Sequence, residues 1–240
     1  MLVPLFLLLT AMAAPGQPSA VPTPSPQRSV PAIRLVPTQT NTVVPASKPE
    51  LLGVGALAPD FESKDLAGKT VRLADFKDKV VVLDFWATWC GPCMRSLPHT
   101  QAVAQRYQDQ GVVVLANCTS DTRAAFEGWT KTNQAKYADI QFTCDPNERG
   151  SATYDERASR KLYGVSGIPT QFVIGRDGRV VAALVGFTEG DTRLEAGLAR
   201  AGVNVDAAAA AKGEARLKAA EAGSAGPVPV SPAPARTPAK

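Results

Sequence analysis

Apolar positions fall into distinct regimes along this chain. The first residues are almost wholly apolar, and a long proline-rich polar stretch follows. From Leu51 to Val203, short apolar runs alternate with amphipathic stretches, which predicts one folded domain over 51–203. Phe61–Asp65 and Thr70–Leu73 flank Ala67-Gly68-Lys69, the pattern of a hairpin. Val80–Trp86 is a nearly continuous apolar run, as expected of a strand buried on both faces. A helix should follow Trp89 and reach about Gln110. Val112–Asn117 reads as a second buried strand, and Thr119–Asp121 can cap a helix running to about Asn133. Ile140–Cys144 reads as a short strand and Asp155–Tyr163 as helical. Gln171–Ile174 and Val180–Leu184 form a pair joined by Arg176-Asp177-Gly178, and Thr192–Ala201 closes the domain as a helix. Strands alternating with helices, then a terminal hairpin and helix, predict an α/β three-layer sandwich with a mixed central sheet.

The two ends lack this periodicity. Residues 1–14 form an apolar run in which Ala11 and Ala13 bracket Met12, as at a cleavage site. The run is shorter than the about 20 residues a membrane span needs. No Lys or Arg precedes it and no Cys follows it. We read it as an export signal, which predicts a periplasmic or otherwise extracytoplasmic protein; an uncleaved start would be its sole contact with a membrane. Residues 15–50 are rich in Pro, Ser, Thr and Val and read as an extended tether. Residues 204–240 form an Ala-rich, then Pro-rich tail, in which Ala207–Ala222 predicts a frayed helix. The net charge of +4 is mild and not gathered into a basic run, which argues against nucleic acid as a partner. Four cysteines in 240 residues do not make a disulfide scaffold, so their placement carries the information.

Cys90 and Cys93 stand at the start of a predicted helix, directly after a buried strand. That spacing brings both sulfurs onto the first turn, within reach of one disulfide. The first N–H groups of a helix lack partners within it, and the positive end of its dipole lies there. A thiolate at Cys90 is therefore favoured, whereas Cys93, set deeper, should hold its proton longer. The pair thus divides the work: Cys90 attacks a disulfide and Cys93 resolves the mixed disulfide. Pro92 fits an early helical position, where a missing donor costs nothing. Structural zinc needs four ligands. The chain has a single histidine, His99, and no second Cys-x-x-Cys, so no metal and no cofactor beyond the Cys90–Cys93 disulfide are expected.

A second motif, Gly167-Ile168-Pro169-Thr170, precedes the strand at Gln171. By itself it reads as a turn before a strand. Together with Phe85–Trp89 leading into Cys90-Gly91-Pro92-Cys93, it resembles thioredoxin. The resemblance implies a thioredoxin fold, a cis peptide at Pro169 beside the cysteines, and an Ile168 backbone that pairs with an incoming peptide by strand addition. The leading hairpin and the helix–strand insert over about Asp121–Asp145 resemble the TlpA/ResA-like branch, in which such domains are exported or membrane-tethered reductants. A peroxiredoxin reading fits less well, because no Thr lies three residues before Cys90.

Several ResA-like proteins carry Glu three residues after the second cysteine, where this chain has Ser96. Conversely, Asp84 matches the buried Asp of thioredoxin. Burial would raise its pKa and suit it to taking the proton of Cys93; an Asp capped by local backbone donors is the plainer reading. Trp89 should shield the disulfide and, with Gly91, Pro92, Ile168 and Pro169, offer a docking surface, while Trp86 is equally well explained as core. His99, after Pro98, reads as a surface or interface residue. Cys118 and Cys144 end two predicted strands and form either a second disulfide or two buried free thiols. The resulting expectation is an enzyme that reduces disulfides of exported protein clients and is recharged by an electron-donor protein. A binding or metal-delivery module for cytochrome c or copper-site assembly is the alternative.

Overall fold

The computed structural model describes residues 50–223. The predicted signal 1–14, the tether up to residue 49 and the tail beyond residue 223 lie outside the described residues. Among the described residues there are seven strands: β1 Glu62–Lys64, β2 Thr70–Arg72, β3 Val80–Trp86, β4 Val112–Cys118, β5 Ile140–Cys144, β6 Thr170–Ile174 and β7 Val180–Val185. The helices are α1 Gly91–Tyr107, α2 Arg123–Asn133, α3 Ala158–Lys161, α4 Arg193–Arg200 and α5 Ala207–Gly223. The strands form one sheet in the order β2-β1-β5-β4-β3-β6-β7. β3, β4 and β5 run parallel, and every other pairing is antiparallel, so the sheet is mixed as predicted.

The apolar run of β3 explains its central position. Every residue of β3 is buried, and the strand alternates between two cores. Val80, Val82 and Trp86 pack with Leu97 and Val103 of α1 and with Leu194 and Leu198 of α4. Val81, Leu83 and Phe85 face the opposite core, with Phe61, Tyr163 and Phe172. Each such side chain contributes about 1.5–3 kcal/mol on burial, which selects the double-faced position for this strand. The second core is covered by the short α3 and by loops rather than by long helices.

The predicted hairpin pairs β1 with β2 and joins the main sheet through Lys64 opposite Cys144. Its turn is closed by the Lys69 N–H donating to Asp65 Oδ1 at 2.8 Å, with Gly68 in the left-handed region at φ 82°. α2 and β5 form the predicted insert. Three local expectations are corrected. The cap of α2 is Thr122, whose hydroxyl accepts the Ala125 N–H, rather than Thr119–Asp121. The helix expected over Asp155–Tyr163 is split into a 3-10 turn, Tyr154–Glu156, and α3, because Asp145 caps α3 from a distance by accepting the Ala158 N–H at 2.8 Å. The predicted frayed helix is α5, and it is docked: Leu217 is fully buried, and Gly213 runs so close to the Thr192 carbonyl that a Cβ has no room. Arg200 of α4 pairs with Glu214 and Glu221 of α5 at 2.9 and 2.6 Å.

Candidate active site

The chain leaves the C-terminal end of β3 at Trp86, turns through Ala87–Trp89 and enters α1, with Cys90 as its N-cap. Ligand sites favour this end of parallel strands. Cys90 is extended (φ −80°, ψ 100°), and its Sγ accepts the Cys93 N–H at 3.2 Å. A hydrogen bond of this kind and the helix dipole both favour negative charge on that sulfur. Cys90 and Cys93 are disulfide-bonded, so the structure represents the oxidised state. Cys93 is 1% exposed and Cys90 3%, between exposed Trp89 and Gly91. Both sulfurs are well covered, so exposure does not separate them.

β6 runs antiparallel to β3 with Thr170 opposite Phe85, which brings the loop before β6 to the cysteine end of the sheet. Here the Ile168–Pro169 peptide is cis, and the Ile168 carbonyl oxygen lies 3.7 Å from Cys90 Sγ. The loop is tied by the Thr170 hydroxyl donating to the Gly167 carbonyl at 2.7 Å and by the Gly186 N–H donating to the Pro169 carbonyl at 2.8 Å. Ile168 is half-buried and Pro169 buried, whereas Gly91 and Pro92 are exposed. The indole of Trp89 is 57% exposed yet anchored, since its N–H donates to the Ser120 carbonyl at 2.9 Å and the Arg149 guanidinium lies over its ring. Trp86 is core, packed against Trp129 and Phe142.

Asp84 lies on the β3 face that carries Val82 and Trp86, the face on which Cys93 also packs. It is 1% exposed. No local backbone donor caps it. Gln171 Nε2 donates to Oδ2 at 3.0 Å, and Oδ1 has no partner. Burial lifts the carboxyl from 3.8 to about 6, and the Gln171 hydrogen bond pulls against that rise. Ser96 donates its hydroxyl to the Cys93 carbonyl at 2.8 Å, so it braces the helix.

Cys118 and Cys144 sit directly opposite each other on β4 and β5 as two free, buried thiols. No second disulfide joins them. The Cys144 thiol, burial and the Asp121 carboxylate push the Cys118 thiol well up, which keeps it protonated and unreactive. Sequence reasoning does not single out Asp121 as a site residue. Its Oδ2 accepts the Thr88 N–H at 2.6 Å and the Cys118 thiol at 3.3 Å, which clasps the loop before Cys90 to the end of β4. His99 pairs with Glu195 of α4 at 2.7 Å, an interface role that ties α1 to α4. Among the described residues no three His, Cys, Asp or Glu side chains gather in a way that could hold a metal ion.

Residues 54–183, a span that contains both cysteines and Pro169, match the AhpC/TSA family. The thiol-disulfide oxidoreductase ResA of Bacillus cereus is 35% identical over 140 residues, which cover 58% of this chain and 74% of that protein. ResA of Bacillus subtilis is 30% identical over 137 residues, covering 57% and 70%. A crystal structure assigned as a thiol:disulfide interchange protein DsbE of Chlorobium tepidum superposes with a TM-score of 0.52 at 34% identity, covering 62% of this chain and 98% of that one. A helix-capped dithiol beside a cis-proline thus coincides with similarity to proteins of one named activity. The chain belongs to the AhpC/TSA family, as a ResA-related thiol–disulfide oxidoreductase with a thioredoxin-like fold.

Proposed function

We propose that this oxidoreductase works as a reductant of disulfides in exported protein clients, with Cys90 as attacking and Cys93 as resolving sulfur. The observation that carries the division of labour is the Cys90 sulfur at the N-cap of α1, accepting the Cys93 N–H. The reduced Cys90 thiolate attacks one client sulfur, forms a mixed disulfide and releases the other client sulfur as a thiolate. Asp84 then takes the Cys93 proton. The Cys93 thiolate attacks Cys90 Sγ, which closes the Cys90–Cys93 disulfide and releases the second client sulfur. Two electrons have passed to the client, and a dithiol donor protein returns them by the same exchange.

Trp89, Gly91, Pro92, Ile168 and Pro169 form the client surface in this reading. The half-buried Ile168 offers backbone to an extended peptide beside the sulfur it must present. The apolar start and the Pro-rich tether support a location outside the cytoplasm. No helix among the described residues is long and apolar enough to cross a membrane. Cys90→Ser should abolish dithiol-dependent reduction of a disulfide-bonded protein such as insulin. Undiminished turnover in that variant would overturn the mechanism.

A further inference from the structure

The geometry points to Gln171 as a positioning residue for the reaction: one hydrogen of its side-chain amide holds the Asp84 carboxylate and the other holds the active-site helix at Thr100. This rests on the reading of Asp84 as the base. A glutamine amide has two hydrogens to donate. Here Nε2 lies 3.0 Å from Asp84 Oδ2 and 3.0 Å from Thr100 Oγ1, so both are committed and the amide has one orientation. Thr100 passes its own hydroxyl hydrogen to the Ser96 carbonyl at 3.2 Å, and Ser96 donates to the Cys93 carbonyl at 2.8 Å. A run of hydrogen bonds therefore joins the buried carboxylate to the peptide of the resolving cysteine. Gln171 stands directly across β3–β6 from Asp84 and two positions after the cis-proline, so one strand carries both the docking loop and the partner of the base.

Nothing else in the immediate surroundings does this work. On the other flank of β3, Asp84 faces Ala116 of β4, which offers no charge and no donor. From α1 and its N-cap the titratable groups on this side are the Cys90 and Cys93 sulfurs and His99. Gln171 and Thr100 wall a cavity of about 10 Å³ with His99 and Asp191, and those two are engaged by Glu195 and Arg193. Gln171 is thus the hydrogen-bond donor that favours the ionised carboxylate, and in a low-dielectric site such a bond is worth more than in water. Without it, a smaller fraction of Asp84 is ionised at neutral pH and ready to accept the proton of Cys93.

The test uses the full-length reduced protein and two variants. Gln171→Met keeps the side-chain length and removes both donors; Thr100→Val breaks the helix side of the link and leaves the Asp84 bond in place. Carbon NMR of the Asp84 carboxyl and the pH profile of mixed-disulfide resolution are measured in each. In Gln171→Met the carboxyl midpoint should rise by about one pH unit, the size expected for losing a hydrogen bond to a charged group, and the resolution profile should rise with it. Thr100→Val should leave the carboxyl midpoint where it is. An unmoved midpoint in Gln171→Met, or an equal rise in Thr100→Val, overturns the inference. A risen midpoint with an unmoved resolution profile keeps Gln171 as the partner of Asp84 but overturns its part in the reaction, together with Asp84 as the base.

Discussion

Replacing Asp84 by Asn should make the folded protein more stable at neutral pH, by an amount that grows with pH. The carboxyl is raised from 3.8 to about 6 in the fold, so the folded state binds this proton more tightly than the unfolded chain does. The stability that the group contributes is fully present below pH 3.8, is lost as pH rises through the folded value, and levels off above about 6. A difference of about two pH units at 1.36 kcal/mol each gives about 3 kcal/mol, most of it between pH 4 and 7. Asn keeps the shape and still offers an oxygen to Gln171, but it carries no charge to desolvate. Urea denaturation of the oxidised proteins at steps between pH 4 and 8 reads the effect as a widening gap between the two stabilities. The comparison cancels the pH dependence of every other group. A gap that stays constant across that range would refute the reasoning, because it would mean that Asp84 ionises in the fold as easily as in the unfolded chain.

The other predictions concern the outer parts of the fold. Leu217→Ala should cost about 2–5 kcal/mol in the same denaturation assay, because the side chain is fully buried between α5 and α4; a cost below about 0.5 kcal/mol would mark α5 as a surface attachment. In the oxidised protein, a thiol reagent should find nothing to label until denaturant is added, and then two thiols, Cys118 and Cys144. Labelling that stays absent in denaturant would show that the two are bonded to each other.

Much of the fold was legible because its signals are local. The apolar run of β3, the turn at Gly68 and the Gly178 hairpin each name their own element, and Cys90 with Pro169 names the end of the sheet where the chemistry lies. Readings that failed depended on partners far away in the chain. Asp121 reads as part of a helix cap, yet it serves the Thr88 N–H across the active-site loop, which moves the cap to Thr122. Asp145 caps α3 from the end of β5, so the helix expected over Asp155–Tyr163 begins only at Ala158. The Ala-rich α5 reads as frayed because its buried residues are few, and its docking rests on one leucine, one glycine and an arginine contributed by α4. Asp84 stands out as the lone charge in a buried run. Its partner Gln171 does not, since a polar residue at the start of a strand is ordinary until the β3–β6 register is known.

The order of attack is the central claim, and trapping tests it most directly. Reduced Cys93→Ser protein, mixed with a disulfide-bonded client and quenched with acid, should accumulate a covalent complex that peptide mapping places on Cys90, since a hydroxyl in place of the Cys93 thiol cannot attack Cys90 Sγ to release it. Cys90→Ser protein treated the same way should yield little complex, because Cys93 lacks the N-cap position that favours a thiolate. A complex that forms readily on Cys93 in the second variant, while the first forms none, would contradict the account.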